Sequence, residues 1–443
     1  MPALPRSAWF FPALLAAAFV LTASLHAAAL SKRIEKDTIT VAAEGLSPTE
    51  RFALVFSRQA AGIVGWYDLA SDPQTAVNLC ERGGTNGSAL FQNRAEAFVG
   101  GKEVAIFPGP ASRFSVDESS DVRVVILMEG QFTTPSGEFG DEKIRQEVLS
   151  YTGSDWKVPE RPRYSTRFTV YPSGRIYIRH IIEVRGLPLV LATNRMILST
   201  APVADVVALN DYPDPRETFL RPASFILHHG RSPGFRASAL LVVNFRKYPT
   251  DWLGNLLAEN GGRRGWLRSA FDVQGGRRLL QPGKYVWNFM LQVEPAGVNT
   301  REAAALYALD FLDPARLRFV NSQGAPDLNE MEDDQLDGFA ESRGAYVLSA
   351  VGRGYVALQM DCGMQGRYCP AFEVHDWRGP IPRFITLDGK RRNIDAHYNA
   401  HLENATLIMQ YLGILSPGVH TLEVGEFVGA REIQPGTGLV PLR

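Results

Sequence analysis

Residues 164–186 read YSTRFTVYPSGRIYIRHIIEVRG. Two runs that alternate polar and apolar residues flank Pro172, Ser173 and Gly174, the composition of a three-residue hairpin loop: proline pre-sets φ at the first turn position and glycine takes the left-handed position that closes it. That loop length fixes the register. Tyr171 faces Arg175, Thr169 faces Tyr177, Arg167 faces Arg179, Ser165 faces Ile181 and Arg163 faces Glu183. A two-residue loop would set apolar against polar positions on every rung, so the three-residue register is the one that gives two consistent faces. One face holds Tyr164, Thr166, Phe168, Val170, Ile176, Ile178, His180 and Ile182; it is expected to line a core, with His180 as a hydrogen-bonded core histidine. The other face collects Arg167, Tyr171, Arg175, Tyr177 and Arg179.

Like charges directly opposite one another across a sheet destabilise it by up to about 1 kcal/mol. Arg167 against Arg179 therefore asks for a compensating anion. Guanidinium forks bind carboxylates and sulfates bidentately, and tyrosine rings offer flat amphipathic stacking surfaces. The face is accordingly the expected ligand-binding surface, with Arg167, Tyr171, Arg175 and Arg179 as contacts and an anionic polysaccharide as partner. The competing reading is internal neutralisation by Glu183, Asp211 or Asp214.

Outward from the hairpin, residues 50–298 are a succession of short β-rich runs separated by Gly, Pro, Asn and Asp, among them RFALVFS, GIVGWYDLA, SALLVVNF and KYVWNFMLQV. So few helical periods between strands indicate antiparallel sheets rather than βαβ units. FGDEKIRQEVLS and TDWLGNLLAEN are expected to be short helices. The segment NTREAAALYALDFLDP opens on Asn299, a natural N-cap, and stops before Pro314, so it is the best helix in the chain. The expected architecture is all-β: a large antiparallel, supersandwich-like β-sandwich over residues 30–298, a connector helix over 299–314 and a smaller β-sandwich over 315–443.

Residues 1–29 read as a secretory signal peptide, with Arg6, an apolar run from Trp9 to Leu25 and small residues at Ala27 and Ala29; a retained anchor is the alternative. Secreted or periplasmic localisation follows, with no membrane span in the mature chain. Net charge of -1 over 443 residues argues against a nucleic-acid partner, so electrostatic recognition has to be local. Cys362 and Cys369 flank a short Gly-containing loop, DCGMQGRYC, and in an oxidising compartment are expected to form a disulfide. Cys80 is left as a buried small apolar residue.

Several motifs fail on their chemistry. GRSPG, residues 230–234, matches the G-x-S-x-G elbow, but the residue after the serine is Pro233, which has no N–H for an oxyanion hole. His228 and His229 point to opposite faces of their strand, leaving His228 as a candidate proton acceptor. In DLNEMEDDQLDGFAE the opening spacing of an EF-hand loop is present, but its twelfth position is Gly344. Two readings of the stretch remain: an irregular calcium loop of Asp333, Asp337 and Glu341, or a solvated acidic loop, so the expected cofactor is calcium or none. His397 and His401 have metal spacing on a helix but lie about 13 Å apart on a strand. The basic runs GGRRGWLR and GKRRN read as solvated loops.

The stretches FALVFSRQAAGIVGWYDLASDP and LLQPGKYVWNFMLQV resemble the boundary strands of galactose-mutarotase-like β-supersandwich domains of polysaccharide-processing proteins. Some polysaccharide lyases include such a domain and use a Tyr or His base with Arg or Asn neutralising a uronate carboxylate. The resemblance would give those roles to Tyr177 beside Arg175 and Arg179, although the long α-barrel domain of many such lyases is missing. Three functions compete: a module that binds an anionic polysaccharide, a lyase acting by β-elimination at a uronate, and a non-catalytic structural or envelope-assembly protein.

Overall fold

The computed structural model describes residues 29–44, 46, 50–80, 90–99, 102–134, 161–186, 188–201, 204–208, 223–230, 237–244, 256–260, 267–272, 277–294, 301–319, 325–326, 337–352 and 354–425. Strands dominate them. Leu30–Ile34, Thr38–Ala43, Phe52–Ser57 and Gly62–Asp68 form a four-stranded antiparallel meander, and the strands between Phe91 and Glu294 form one fourteen-stranded sheet. Five of the latter hold the hairpin and its neighbours: β1 (Val124–Thr133), β2 (Arg163–Val170), β3 (Arg175–Val184), β4 (Ser238–Asn244) and β5 (Gly283–Glu294). They run side by side in the order β4-β5-β3-β2-β1.

The hairpin of β2 and β3 has the register its loop dictates, with Thr169 opposite Tyr177, Arg167 opposite Arg179 and Arg163 opposite Glu183. Gly174 has φ +80, the left-handed value, and its N–H donates to the Tyr171 carbonyl at 3.0 Å. On the apolar face, Tyr164, Phe168, Val170, Ile176, Ile178 and Ile182 pack with Phe56, Trp66 and other meander side chains into one core. Phe56 meets Phe168 edge to face, 5.3 Å between centroids. His180 belongs to this core: its Nδ1 is 2.8 Å from Thr166 Oγ1, and burial pushes its pKa down to about 3, so it is neutral.

After the sheet comes helix α1 (Arg301–Leu312), followed by the C-terminal strands. These strands include β6 (Ala345–Ser349), β7 (Val356–Asp361), β8 (Ala371–His375), β9 (Phe384–Leu387), β10 (Lys390–Asn393) and β11 (Val419–Val424). β7, β11, β9 and β10 belong to a five-stranded sheet whose edge is β10; β6 and β8 lie in a six-stranded sheet, where they pair in parallel. The chain is therefore all-β, with a large antiparallel sheet stack first.

A second core decides how the N-terminal and C-terminal sheets meet. Tyr171, Tyr177, Leu240, Val242 and Met290 from the other face of the large sheet pack with Ala304, Ala308 and Phe311 of α1 and with Phe339, Tyr346 and Leu348 beyond it. The large sheet is thus buried on both faces along β4 and at the Tyr177 and Met290 ends of β3 and β5. The sequence of β4, SALLVVN, carries that signature: Ala239, Leu241 and Val243 enter the first core while Leu240 and Val242 enter the second.

Two expectations need correction. Leu256–Asn260, the end of the expected helix TDWLGNLLAEN, is a strand paired with Leu267–Asp272, because sheet pairing overrides a short helical pattern. FGDEKIRQEVLS lies outside the described residues, as do residues 1–28. Cys362 and Cys369 are free, buried thiols rather than a disulfide. The loop between them turns Arg367 inward, where it donates to the Cys362 carbonyl at 2.9 Å and pairs with Asp310 at 3.0 Å, while Cys369 N–H donates to the Gly413 carbonyl at 2.7 Å. Cys80 lies in the first core, where burial pushes its thiol pKa up.

Candidate functional site

The arginine and tyrosine side chains expected to bind a ligand do share one face, but the C-terminal region covers half of it. Tyr171, Arg175 and Tyr177 are at most 1% exposed. Arg175 donates from Nη1 to Asp310 Oδ2 at 3.3 Å and from Nη2 to the Tyr307 carbonyl at 2.8 Å, both on α1. Asp310 also accepts from the Tyr346 hydroxyl at 2.9 Å and pairs with Arg367. A helix carboxylate therefore ties the hairpin to the C-terminal sheets.

Glu373 on β8 makes an equivalent tie to the neighbouring strands of the large sheet. Arg123, which precedes β1, donates to Glu118 at 2.7 and 2.8 Å and from Nη1 to Glu373, and Arg343 Nε lies 3.2 Å from Glu373. Burial alone would raise the Glu373 pKa; Arg123 and Arg343 outweigh it and hold the carboxyl well below the usual range. The turn of residues 341–344 closes the contact. Arg167 donates to Ser342 Oγ at 2.9 Å and the Tyr171 hydroxyl to the Arg343 carbonyl at 2.8 Å. Gly344, at φ +67, lies so close to the Tyr177 ring that a Cβ there would overlap it.

These contacts correct the ligand-binding assignment of Tyr171 and Arg175: their partners are the protein's own carboxylate and carbonyl groups. Arg167 and Arg179 are half-buried on the same face, at the boundary of the covered region. The catalytic pair is corrected too. Burial pushes the Tyr177 phenol up, against the opposing pull of Arg175, and the covering residues close it off from any substrate in solution. His228 is 1% exposed with Nδ1 2.9 Å from Thr200 Oγ1. It has the strand parity of Ile226, which enters the first core, whereas Tyr177 enters the second, so the two lie on opposite sides of the sheet.

For calcium, Asp337 Oδ1 accepts from the Phe339 N–H at 3.0 Å and Glu341 is fully buried, whereas Asp333 lies outside the described residues. Among the described residues, no group of three or more metal-ligating side chains comes together. His401 falls on the strand Tyr398–Glu403, so the helical spacing with His397 does not arise.

The same sheet face continues past the covered half and opens into a cleft of about 840 Å3. Its floor is the rung Gln131, Arg163, Glu183 and Lys284 on β1, β2, β3 and β5, together with Glu129, Ser165 and Ile181 one rung in. Arg161, Arg185 and the loop of Gly109, Pro110 and Ser112 wall it. Arg185 Nη2 donates to both oxygens of Glu183 at 2.9 Å, and Ser165 Oγ donates to Glu129 at 3.3 Å. Arg163 and Lys284 are exposed on either side of Glu183. Four cations thus face two carboxylates. The Tyr164 hydroxyl, at the cleft wall, donates to the Gly109 carbonyl at 2.6 Å and burial pushes its pKa up, so it supports the loop rather than offering a base. Sequence reasoning missed Arg161, Arg163, Arg185 and Lys284 as site residues, although the hairpin register already placed Arg163 and Glu183 on this face.

No protein-family model matches the chain, and no curated protein matches it. Among solved structures, an aldose 1-epimerase candidate from Escherichia coli K12 aligns at 11% identity and TM-score 0.30, over 55% of this chain and 96% of that one. The GalM/aldose epimerase homologue from C. elegans aligns at 10% identity and TM-score 0.28, over 60% and 99%. Heparan sulfate lyase HepC from Pedobacter heparinus aligns at 8% identity and TM-score 0.27, over 76% of this chain and 40% of that one. The resemblance to galactose-mutarotase-like proteins is weak at this level of superposition. It transfers no activity and no residue role.

Proposed function

We propose that the protein is an extracytoplasmic binding protein for an acidic polysaccharide, held in the cleft at the open end of the hairpin. The observation that carries this reading is the cleft itself: its volume of about 840 Å3 falls within the ordinary range for ligand sites, and Arg161, Arg163, Arg185 and Lys284 exceed Glu129 and Glu183 in charge. Arg185 is tied to Glu183, which leaves the exposed Arg163 and Lys284 best placed to meet carboxylate or sulfate groups. The apolar run from Trp9 to Leu25 supports export. Binding is preferred over β-elimination because both catalytic candidates, Tyr177 and His228, are buried away from the cleft.

The test is a panel of alginate, pectate, hyaluronan and sulfated glycans, read by retention in affinity gels and by absorbance of unsaturated uronate ends. Salt-sensitive retention without new absorbance is expected, reduced by Arg163→Ala with Lys284→Ala. Equal mobility of parent and variant on every glycan would remove the cleft as the binding site, and a rise in absorbance would make the protein a lyase.

A further inference from the structure

Of the seven large hydrophobic side chains that stand exposed among the described residues, three sit on adjoining segments at one end of the C-terminal region: Met364 is 93% exposed, Val419 59% and Ile414 56%. Backbone ties bring them together. Cys362 N–H donates to the Gly418 carbonyl at 2.9 Å and Gly418 N–H to the Gly363 carbonyl at 2.8 Å. Tyr368 pairs with Ile414, and Asp361 of β7 pairs with Val419 of β11. Residues 362–366 and 412–419 therefore make a single tip, from which three apolar side chains project into water.

The tip is joined to a basic strand. His420 lies with Nδ1 2.7 Å from Asp388 Oδ2 and Nε2 2.8 Å from the Ser416 carbonyl, and Asp388 N–H donates to the Thr421 carbonyl at 2.9 Å. These bonds hold the Asp388–Gly389 turn at the same end as the tip. From that turn runs the edge strand β10, carrying Lys390, Arg391 and Arg392, with Lys390 and Arg391 exposed. Asp361 and Asp388 are the acids of this end, and Asp388 is engaged by His420.

We propose that this tip docks on an anionic lipid surface. Met364, Ile414 and Val419 would enter the boundary between headgroups and acyl chains, while Lys390 and Arg391 meet the anionic headgroups. Lysines and arginines on an edge strand ordinarily serve to block strand addition, which accounts for β10 but not for the apolar tip beside it. A second copy of the chain is the less suitable occupant, because two-fold pairing through the tip would bring one basic strand up to another. A charged lipid surface has no such conflict. This surface lies in the C-terminal sheets and is independent of the cleft.

The test is co-sedimentation of the purified full chain with phosphatidylcholine vesicles, with and without phosphatidylglycerol. Parent, Met364→Ser/Ile414→Ser/Val419→Ser and Lys390→Gln/Arg391→Gln share residues 9–25, so binding through that apolar run is common to all three. The parent is expected to sediment with the anionic vesicles, less so in high salt, and each variant to lower the partition coefficient by about tenfold or more. The substitutions are on exposed side chains, and matching thermal melts will show that the fold is intact. Failure of the parent to prefer anionic vesicles, or variants that sediment as the parent does, overturns the proposal. A dimer on gel filtration that the triple variant abolishes would overturn it in favour of a second copy.

Discussion

Two halves of one sheet face carry the same chemistry to opposite ends. In the covered half, Arg175 and Tyr177 are at most 1% exposed and Arg175 is bonded to Asp310; in the open half, Arg163 and Lys284 flank Glu183 at the surface. The side-chain types hardly differ. What differs is whether helix α1 and the turn of residues 341–344 stand between them and water. A charge taken out of water must be matched within the protein, and Asp310 and Glu373 do this for arginines on both sides of the contact. A charge left at the surface keeps its hydration and can exchange it for a ligand. The covered half therefore fixes the N-terminal and C-terminal sheets relative to each other, and the open half is the one suited to binding.

The largest expected effect falls in the covered half. Asp310→Ala leaves Arg175 and Arg367 buried without their carboxylate and should cost about 3–5 kcal/mol, read as a fall in the urea midpoint. A loss below about 1 kcal/mol would mean that the helix carboxylate does little to join the two sets of sheets. Gly344→Ala comes next. Its left-handed φ alone implies about 1–3 kcal/mol, and the overlap with Tyr177 adds to it; a melting temperature equal to the parent's would show that the turn yields easily.

In the open half the expected effect moves from stability to binding. Arg163→Ala with Lys284→Ala should change unfolding free energy by no more than about 0.5 kcal/mol, because both side chains are exposed, while glycan retention drops. A large loss of stability without a change in retention would reverse the assignment of the two halves.

The smallest effect on the comparison of the two halves is at the His420 and Asp388 pair, which lies outside both and where water reaches one partner. Burial alone would lower the His420 pKa; the Asp388 hydrogen bond and the Ser416 carbonyl raise it instead. Its contribution is therefore fully present below the unfolded histidine value near 6.5 and is lost as pH rises through the raised folded value. For Asp388, burial is outweighed by the hydrogen bonds from His420 and Thr421, so its pKa is lowered and its contribution disappears as pH falls below the usual carboxylate range. The pair should stabilise most between those limits. Because the Asp388 side chain is 44% exposed, the gain is about 1 kcal/mol or less. Thermal melts of parent and His420→Gln should differ near pH 5.5 and converge above neutrality. A gap that persists at pH 9 would contradict the assignment.

Much of the large sheet was legible locally. Pro172 and Gly174 set the loop length, the loop length set the register, and the register sorted every residue of the hairpin onto a face. Alternation could not say what covered the polar face, since a buried ion-pair network and a ligand site draw on the same side chains. One signal pointed to cover: the unbroken apolar run in β4, which implies burial from both sides. The cleft was half legible, because Arg163 and Glu183 were placed on the right face, whereas Arg161, Arg185 and Lys284 join them only through neighbouring strands and loops. The expected disulfide failed for a similar reason. Sequence spacing brought Cys362 and Cys369 near, but Arg367 between them is drawn to Asp310 on helix α1, far earlier in the chain.

By itself the sequence determined the strand-rich class, the hairpin register and the separation of its two faces, because turn geometry and side-chain alternation are local properties of the backbone. Only the tertiary structure decided which arginines remain in water. Solvation depends on what packs above a side chain, and here that cover arrives from residues more than a hundred positions away.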